Sequence, residues 1–248
     1  MAAPRVARLR LVAALLLLAL WEGAAYSGLF YRGVLPSVVQ IGGALVRLLA
    51  DPAFWRHLGT TAMEVAGALA IGGSLGIATG LLVGGGLLAR RAYEPALHYL
   101  APTPKIVFLP ILIALFGVGP PSKIAMGALS CFFPVALSVA SGMALVNPVH
   151  LRVARSFGLS WLRTLRSVYL PSLVRPMVTG LRLGLGVAVI GCLLSEIRLS
   201  NRGLGFLAIQ FYGQFRIPEM YAVLIVVFAL AGLGNAGFGR IKPRGAIA

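Results

Sequence analysis

Long apolar runs separated by short polar stretches dominate this chain. Six runs are long enough to form transmembrane helices, because about 20 helical residues cross a hydrocarbon layer ~30 Å thick. They lie at residues 9–29, 61–87, 96–118, 124–146, 177–195 and 221–237. A shorter amphipathic stretch at 35–51 carries Arg47 and Asp51 near its end, so we expect it at a membrane interface. The pattern predicts an all-α, polytopic membrane helix bundle with about six transmembrane helices.

The composition leads to the same class of protein. Hydrophobic residues make up 59% of the 248 residues, charged residues make up 11%, and the mean hydropathy is +0.92. One water-soluble core cannot hide so much apolar surface, so lipid must be the solvent. A net charge of +16 would suggest nucleic acid as the partner of a soluble domain. Here the arginines fall in short loops between apolar runs, as expected for topology signals and contacts to anionic membrane lipid.

Both chain ends are predicted to lie inside the cell. Arg5, Arg8 and Arg10 precede the first apolar run, as in a signal peptide. That run continues to Phe30 and is long enough to span, so we favour an uncleaved first helix. More Arg and Lys residues fall in the segments assigned to the inside than in those assigned to the outside, which favours inside termini.

Residues 151–173, LRVARSFGLSWLRTLRSVYLPSL, form a basic amphipathic segment between two apolar runs. A segment this rich in arginine lies outside the hydrocarbon and faces water or a partner. We interpret it as a docking surface for another protein. The alternative is an amphipathic helix that rests on anionic lipid.

Proline interrupts the third apolar run. Pro102, Pro104 and Pro110 lie within it, together with Lys105. Proline removes a backbone donor, and broken backbone at membrane depth is tolerated where it is buried in protein or lines a watery cavity. Pro104, Lys105 and Pro110 are therefore candidates for lining a transport pathway. The alternative is a helix that simply starts at Lys105, with the prolines in its approach loop.

Small residues indicate where helices pack. Glycine recurs every four residues in the second run and again in the fifth, at Gly72, Gly76, Gly80, Gly84, Gly180 and Gly184. Such a stripe lets a neighbouring helix approach closely, either around a movable core or in ordinary bundle packing. Cys131 and Cys192 fall in separate runs, so we expect small core residues rather than a disulfide or a metal site.

Ionisable residues inside apolar runs are candidate functional residues, because a charge near mid-bilayer costs on the order of 2.5–3.5 kcal/mol. They are Glu64, Arg182 and, near the outer end of the first run, Glu22. Arg182 lies close to Gly180 and Gly184 in the sequence and is expected to point inward, so it is a candidate for pairing with Glu64 or for lining the pathway. Snorkelling from a site near a helix end is the alternative for each.

The sequence indicates a transport subunit rather than an enzyme. No His-Glu-x-x-His occurs, no cysteine pair has metal spacing, and no lysine follows a glycine as a P-loop requires. The sequence therefore predicts no catalytic residue, no metal ligand and no cofactor in this chain. If ATP drives transport, a separate polypeptide must hydrolyse it.

Segment 151–173 also resembles a known motif. Permease subunits of bacterial ABC importers carry, before the penultimate transmembrane helix, the pattern Glu-Ala-Ala, three residues, Gly, nine residues, Ile, one residue, Leu-Pro. The aligned positions are Arg152, Val153, Ala154, Gly158, Val168, Leu170 and Pro171. The spacing is intact, while Arg152 and Val153 replace the Glu and the first Ala. The proline-containing third run is similar to that of nitrate, sulfonate and taurine importer permeases.

The resemblance implies a type I ABC importer permease in the bacterial cytoplasmic (inner) membrane. An N-terminal tail and first helix would occupy residues 1–34, and a permease core would occupy 35–248 with a cytoplasmic coupling loop at 148–171. Gly158 would end the docking helix, and Pro171 would stop the next stretch from continuing it. Glu196, Gly203 and Gly205 match a Glu and Gly-Leu-Gly turn of the same subfamily, which implies an outer gate.

The resemblance also implies partners and cargo. Two copies of the permease, or this one and a close relative, would enclose the pathway, and ABC ATPases carrying ATP and Mg would dock at the coupling loop. A periplasmic or lipid-anchored binding protein would deliver a small anionic or zwitterionic solute. The main alternative is a secondary carrier or a structural subunit of another membrane complex. A proton-coupled carrier should show several acidic or histidine residues along its spans, and only Glu64 clearly qualifies.

Overall fold

The computed structural model describes residues 3–29 and 33–239, so Phe30 and the basic residues of the C-terminal tail lie outside it. Within these ranges the regular elements are eleven α-helices, a 3-10 turn (Lys105–Phe108) and a π turn (Leu165–Tyr169). The helices are α1 (Ala3–Tyr26), α2 (Val38–Ala50), α3 (Pro52–Gly84), α4 (Leu87–Leu100), α5 (Leu109–Phe116), α6 (Pro120–Ala144), α7 (Pro148–Ser156), α8 (Trp161–Thr164), α9 (Leu170–Arg198), α10 (Leu204–Gly213) and α11 (Ile217–Gly239).

Five helical segments of the described chain are long and apolar enough to cross a membrane, and a bent pair makes a sixth. The five are Val6–Tyr26, Pro52–Gly84, Pro120–Ala144, Trp161–Arg198 and Ile217–Gly239. The pair is α4 and Lys105–Phe116, which is the 3-10 turn followed by α5. Their axes differ by 88° across the break that contains Pro102 and Pro104. The predicted bundle of about six helices is confirmed.

Three predicted helix starts are wrong. The second segment starts at Pro52 rather than at 61. The third segment starts at Leu87 rather than at 96, because the charged residues of α4 lower its hydropathy without ending the helix. The fifth begins at Trp161 rather than at 177. Pro171 does not stop it, because the π turn just before this proline changes the local hydrogen bonding: Leu170 N–H bonds Leu165 C=O, five residues back.

The core is built around α3, α6 and α9, with buried side chains of α2, α10 and α11 packed against them. The glycine stripes are packing faces of α3 and α9. A Cβ on Gly76, Gly80 or Gly84 would lie 2.8, 2.6 or 2.7 Å from the Cβ atoms of Val135, Val139 and Met143 on α6, respectively. Gly180 and Gly184 approach the other side of α6 in the same way. Cys131 and Cys192 are free thiols buried between these helices, as expected for small core residues.

The two N-terminal helices are held differently. Ser37 and Gln40 form a capping box at the start of α2, whose apolar face buries Ile41, Ala44 and Leu48, mainly against α11. The α1 segment is exposed along most of its length. Near the end of α1, Glu22 accepts a hydrogen bond from the N–H of Val38 at 2.8 Å, which fastens α1 to the start of α2.

Candidate functional site

α7 is a short helix between the end of α6 and the start of α8. Asn147 caps it by accepting a hydrogen bond from the N–H of Val149 at 2.8 Å. Pro148 occupies the first turn, where its missing N–H leaves no helical bond unmade. The local sequence therefore starts a helix at this point.

Gly158 ends α7 in a Schellman motif. The N–H of Gly158 bonds the carbonyl of Arg155 at 2.9 Å, and the N–H of Leu159 bonds the carbonyl of Ala154 at 3.0 Å. This geometry requires the φ of +65° that Gly158 adopts, which L-residues avoid. The sharp end of the helix thus depends on the glycine.

The outer face of α7 carries an apolar stripe. Val149, Val153 and Phe157 recur every four residues and are 47%, 48% and 78% exposed. Arg152 and Arg155 flank them and are exposed as well. An amphipathic helix with a free apolar face fits a groove on another protein.

The inner side of this segment is anchored to the bundle. Ala154 is buried, and Val168 and Leu151 pack against the buried side chains of Met143 and Tyr169. Leu170 is partly buried, whereas Pro171 is exposed in the continuous helix. The segment 148–171 therefore presents a solid base on one side and an uncovered face on the other.

A buried polar cluster lies at the opposite end of the bundle. Consecutive backbone N–H groups at the start of α10 bond side chains of α3 and α9: Gly203 to His57 Nδ1 at 3.1 Å, Leu204 to Thr61 Oγ1 at 2.8 Å and Gly205 to Glu196 Oε2 at 2.6 Å. These N–H groups have no partner within α10, so the other helices cap it. Glu196, Gly203 and Gly205, which the resemblance grouped, meet in this site.

Glu64 and Lys123 extend the polar cluster, which we define as His57, Thr61, Glu64, Lys123, Glu196 and the turn Gly203–Gly205. Lys123 is 2% exposed and donates hydrogen bonds to the backbone carbonyls of Val118 and Gly119. Glu64 is 1% exposed and lines a cavity of about 200 Å³ together with Lys123 and Arg202. Lys123 lies in the first turn of α6, and its side chain is buried in the cluster.

Lys105 lies at a second cavity, beside the break between α4 and α5. Its ammonium group bonds the carbonyls of Ala101 at 2.6 Å and Thr103 at 3.2 Å and lies 5.0 Å from the Phe133 ring centre. Pro104 and Lys105 line this cavity of about 520 Å³ with apolar residues of α6 and α9. Pro110 is exposed on α5.

Arg182 does not pair with Glu64. Its Nε donates to Oδ1 of Asn235 on α11 at 2.7 Å, and the side chain is exposed. Arg182 lies 14 residues before Glu196 on α9, which corresponds to about 21 Å of helix. Pairing with Glu64, which lies in the polar cluster beside Glu196, is excluded by that distance.

The sequence matches one protein family over most of the helices that build these sites. The family is described as "Binding-protein-dependent transport system inner membrane component", and it matches residues 72–239. The chain belongs to this family. It is therefore an inner-membrane permease component of an importer, and the alternative of a secondary carrier or unrelated structural subunit is wrong.

Several named permeases are similar to this chain over most of its length. The taurine transport system permease protein TauC of Escherichia coli is 32% identical over 86% of this chain and 79% of its own length. The putative aliphatic sulfonates transport permease protein SsuC of Bacillus subtilis is 28% identical over 92% of this chain and 82% of its own length. The nitrate import permease protein NrtB of Leptolyngbya laminosa is 28% identical over 77% of this chain and 68% of its own length.

The fold of this permease has a solved counterpart. A chain in the inward-facing structures of the MetNI methionine ABC transporter aligns with a TM-score of 0.63 at 20% identity, covering 79% of this chain and 95% of that one. The expected resemblance to ABC importer permeases is confirmed at the level of the fold.

Sequence reasoning proposed Glu64 and Glu196 as functional residues but missed His57, Thr61 and Lys123, the other side chains of the polar cluster in this permease. His57, Thr61 and Glu64 are spaced by four and three residues, so they share one face of α3, and this spacing could have grouped them. Lys123 gave no such signal, because a single lysine at the start of a span has the same sequence pattern whether it points inward or snorkels.

Proposed function

We propose that this permease forms the translocation pathway of an ATP-driven importer for a small anionic or zwitterionic solute, such as a sulfonate, taurine or nitrate. The names of its relatives support this solute class. Lys105 at the broken span and Arg182 beside α11 provide positive charge in the cavities they line. A second permease chain, identical or closely related, completes the pathway.

The observation that carries the proposal is the uncovered face of α7. Val149, Val153 and Phe157 form an apolar stripe between arginines, on a helix whose end is fixed by Gly158. We assign this face to a groove on a separate ABC ATPase, which binds ATP and Mg. Arg152 occupies the position at which the family motif has Glu. An acidic side chain of the partner therefore fits opposite Arg152 better than a basic one.

The two ends of the bundle then face opposite sides of the membrane. α7 lies inside, with both chain termini, and the polar cluster lies outside, where a binding protein delivers the solute. The gate residues Glu196, Gly203 and Gly205 fix the start of α10 at that outer end. Exposed apolar surface on α1 faces lipid.

Replacement of Gly158 tests the docking role. Gly158→Val places a β-branched residue at φ +65°, which costs about 1–2 kcal/mol or more and frays the end of α7. We expect loss of taurine or sulfonate uptake and of solute-stimulated ATP hydrolysis, measured in proteoliposomes with the partner ATPase and binding protein. Gly158→Asn is the matched control, because Asn tolerates this backbone conformation, and it should keep most of the activity.

The amount of inserted protein must be the same in all variants. Normal stimulation of ATP hydrolysis by Gly158→Val would contradict docking at α7. The solute class has its own test. If the unsubstituted protein stimulates ATP hydrolysis by the partner ATPase, but taurine, sulfonates and nitrate are not taken up, the solute class is wrong while the docking proposal stands.

A further inference from the structure

Two carboxyl groups are buried side by side in the polar cluster. Glu64 is 1% exposed and Glu196 is fully buried. Thr61, which lies one helical turn before Glu64 on α3, bonds the Glu196 carboxyl at 2.6 Å and so places the two carboxyl groups in one cluster. The Oε2 atom of Glu64 is buried and accepts no hydrogen bond from the described residues. An ionised carboxylate in that position would lack the hydrogen bonds that burial demands.

The hydrogen bonds of Glu196 fix it as the acceptor. Its Oε1 accepts the hydroxyl of Thr61 at 2.6 Å, and its Oε2 accepts the N–H of Gly205 at 2.6 Å. The Thr61 hydroxyl donates this bond, while its oxygen accepts the N–H of Leu204 at 2.8 Å. A backbone N–H can only donate. Both oxygens of Glu196 therefore face donors, as those of a carboxylate do.

The charges around Glu64 and Glu196 favour one bound proton on the pair of carboxyl groups. Lys123 is the buried cation of the cluster, and it donates to the carbonyls of Val118 and Gly119. His57 accepts the N–H of Gly203 through Nδ1, which requires an unprotonated Nδ1. Arg56 and Arg202 are exposed at the surface of the cluster. Two carboxylates against one buried ammonium would leave a net negative charge in a low-dielectric site.

We propose that Glu64 and Glu196 form an acid pair that holds one proton, carried by Glu64 and donated to the Glu196 carboxylate. The pair and Lys123 are then electrically neutral together. The hydrogen bond links α3 directly to the end of α9, beside the turn that starts α10. The cavity of about 200 Å³ at Glu64, with Arg202 at its rim, connects this proton site with the surface. The site is independent of which solute is carried and of docking at α7.

Infrared spectroscopy of the full-length protein in lipid tests the proton directly. A protonated carboxyl has a carbonyl stretch that carboxylates lack, and this band shifts on H/D exchange. We expect the band in the unsubstituted protein at neutral pH and its loss in Glu64→Gln. Glu94→Gln is the matched control and should keep the band, because Glu94 pairs with Arg90 at 2.6 Å. No band in the unsubstituted protein, or a band that survives Glu64→Gln, overturns the proposal.

Thermal unfolding in detergent provides a second, asymmetric readout. Gln at position 64 still donates an N–H to Glu196, so Glu64→Gln should change Tm little. Gln at position 196 turns an NH2 group toward one of its two donors, so Glu196→Gln should lower Tm by about 4–8 °C or prevent folding. Equal tolerance of both substitutions, or a larger loss in Glu64→Gln, contradicts the assignment of the proton to Glu64.

Discussion

Gly203 shows how closely single residues are constrained at the polar cluster. Its φ is +106°, and the Glu196 carboxyl occupies the place where a side chain would begin. A larger residue must displace Glu196 and with it the hydrogen bonds to Thr61 and Gly205. The glycine is thus required both by its backbone angle and by its neighbour.

Gly203→Ala should therefore destabilise the protein strongly. We expect a loss of about 2–4 kcal/mol, from backbone strain and from broken buried hydrogen bonds. The measurement is thermal unfolding in detergent against Gly213→Ala at the other end of α10, where an added Cβ meets no atom within 4 Å. Equal Tm values for the two variants would show that the turn has room for a side chain.

At the scale of single residues, the sequence predicted which residues are functional candidates better than it predicted their heights along the helices. Glu196, Gly203 and Gly205 could be grouped only through the family motif, because six residues of unremarkable loop and helix composition (197–202) separate Glu196 from Gly203. Arg182 and Glu64 could each be placed on an inward or outward face by periodicity. Their heights along two different helices could not be compared, so the expected pair was wrong by roughly four helical turns.

Among the elements, α3 and α6 owe their close packing to glycine. Gly80 faces Val139 and the carbonyl of Ala136, with no space for a methyl group. Gly59 lies on the same helix, but nothing lies within 4 Å of the position its Cβ would take. The two glycines therefore separate the packing cost of a methyl group from its effect on helix propensity.

Gly80→Ala should cost about 1–3 kcal/mol, because the two helices must move apart. Gly59→Ala should be neutral or stabilise by up to about 1 kcal/mol, since alanine favours the helix. Thermal unfolding of both variants in the same detergent measures the difference. A Tm for Gly80→Ala at or above that of Gly59→Ala would contradict the tight approach of α6.

The existence of the long helices could be predicted, whereas their full extent could not. Hydropathy detects only the apolar part of a helix, so a segment predicted from it ends where charged residues begin. α4 contains Arg90, Arg91 and Glu94, and α8 contains Arg163, so each helix extends beyond its apolar part. Pro171 was expected to end a helix, but the π turn before it is a feature of backbone hydrogen bonding that no residue pattern announced.

For the whole molecule, the proposed orientation places α7 and α10 on opposite sides of the membrane. Val153 and Tyr212 are 48% and 59% exposed, so cysteines there are open to reagents. The native Cys131 and Cys192 are fully buried and should not react. The protein therefore offers a clean background for labelling.

A membrane-impermeant maleimide added to intact cells, after the outer membrane has been made permeable, should label Tyr212→Cys. Val153→Cys should react only after the inner membrane is opened. An unchanged Tm in detergent and equal amounts of inserted protein confirm that each variant is folded. Labelling of Val153→Cys from outside would reverse the orientation and remove the basis for an inside ATPase at α7.

One continuous helical stretch, Trp161–Arg198, connects these two ends. It begins just after Gly158 and carries Glu196 near its far end, and its 38 residues form a rod about 57 Å long. A tilt of about 5° around its middle would shift each tip by about 2 Å, which is nearly the length of a hydrogen bond. A push delivered beside Gly158 would thus arrive at the start of α10 as a movement large enough to break the contacts there.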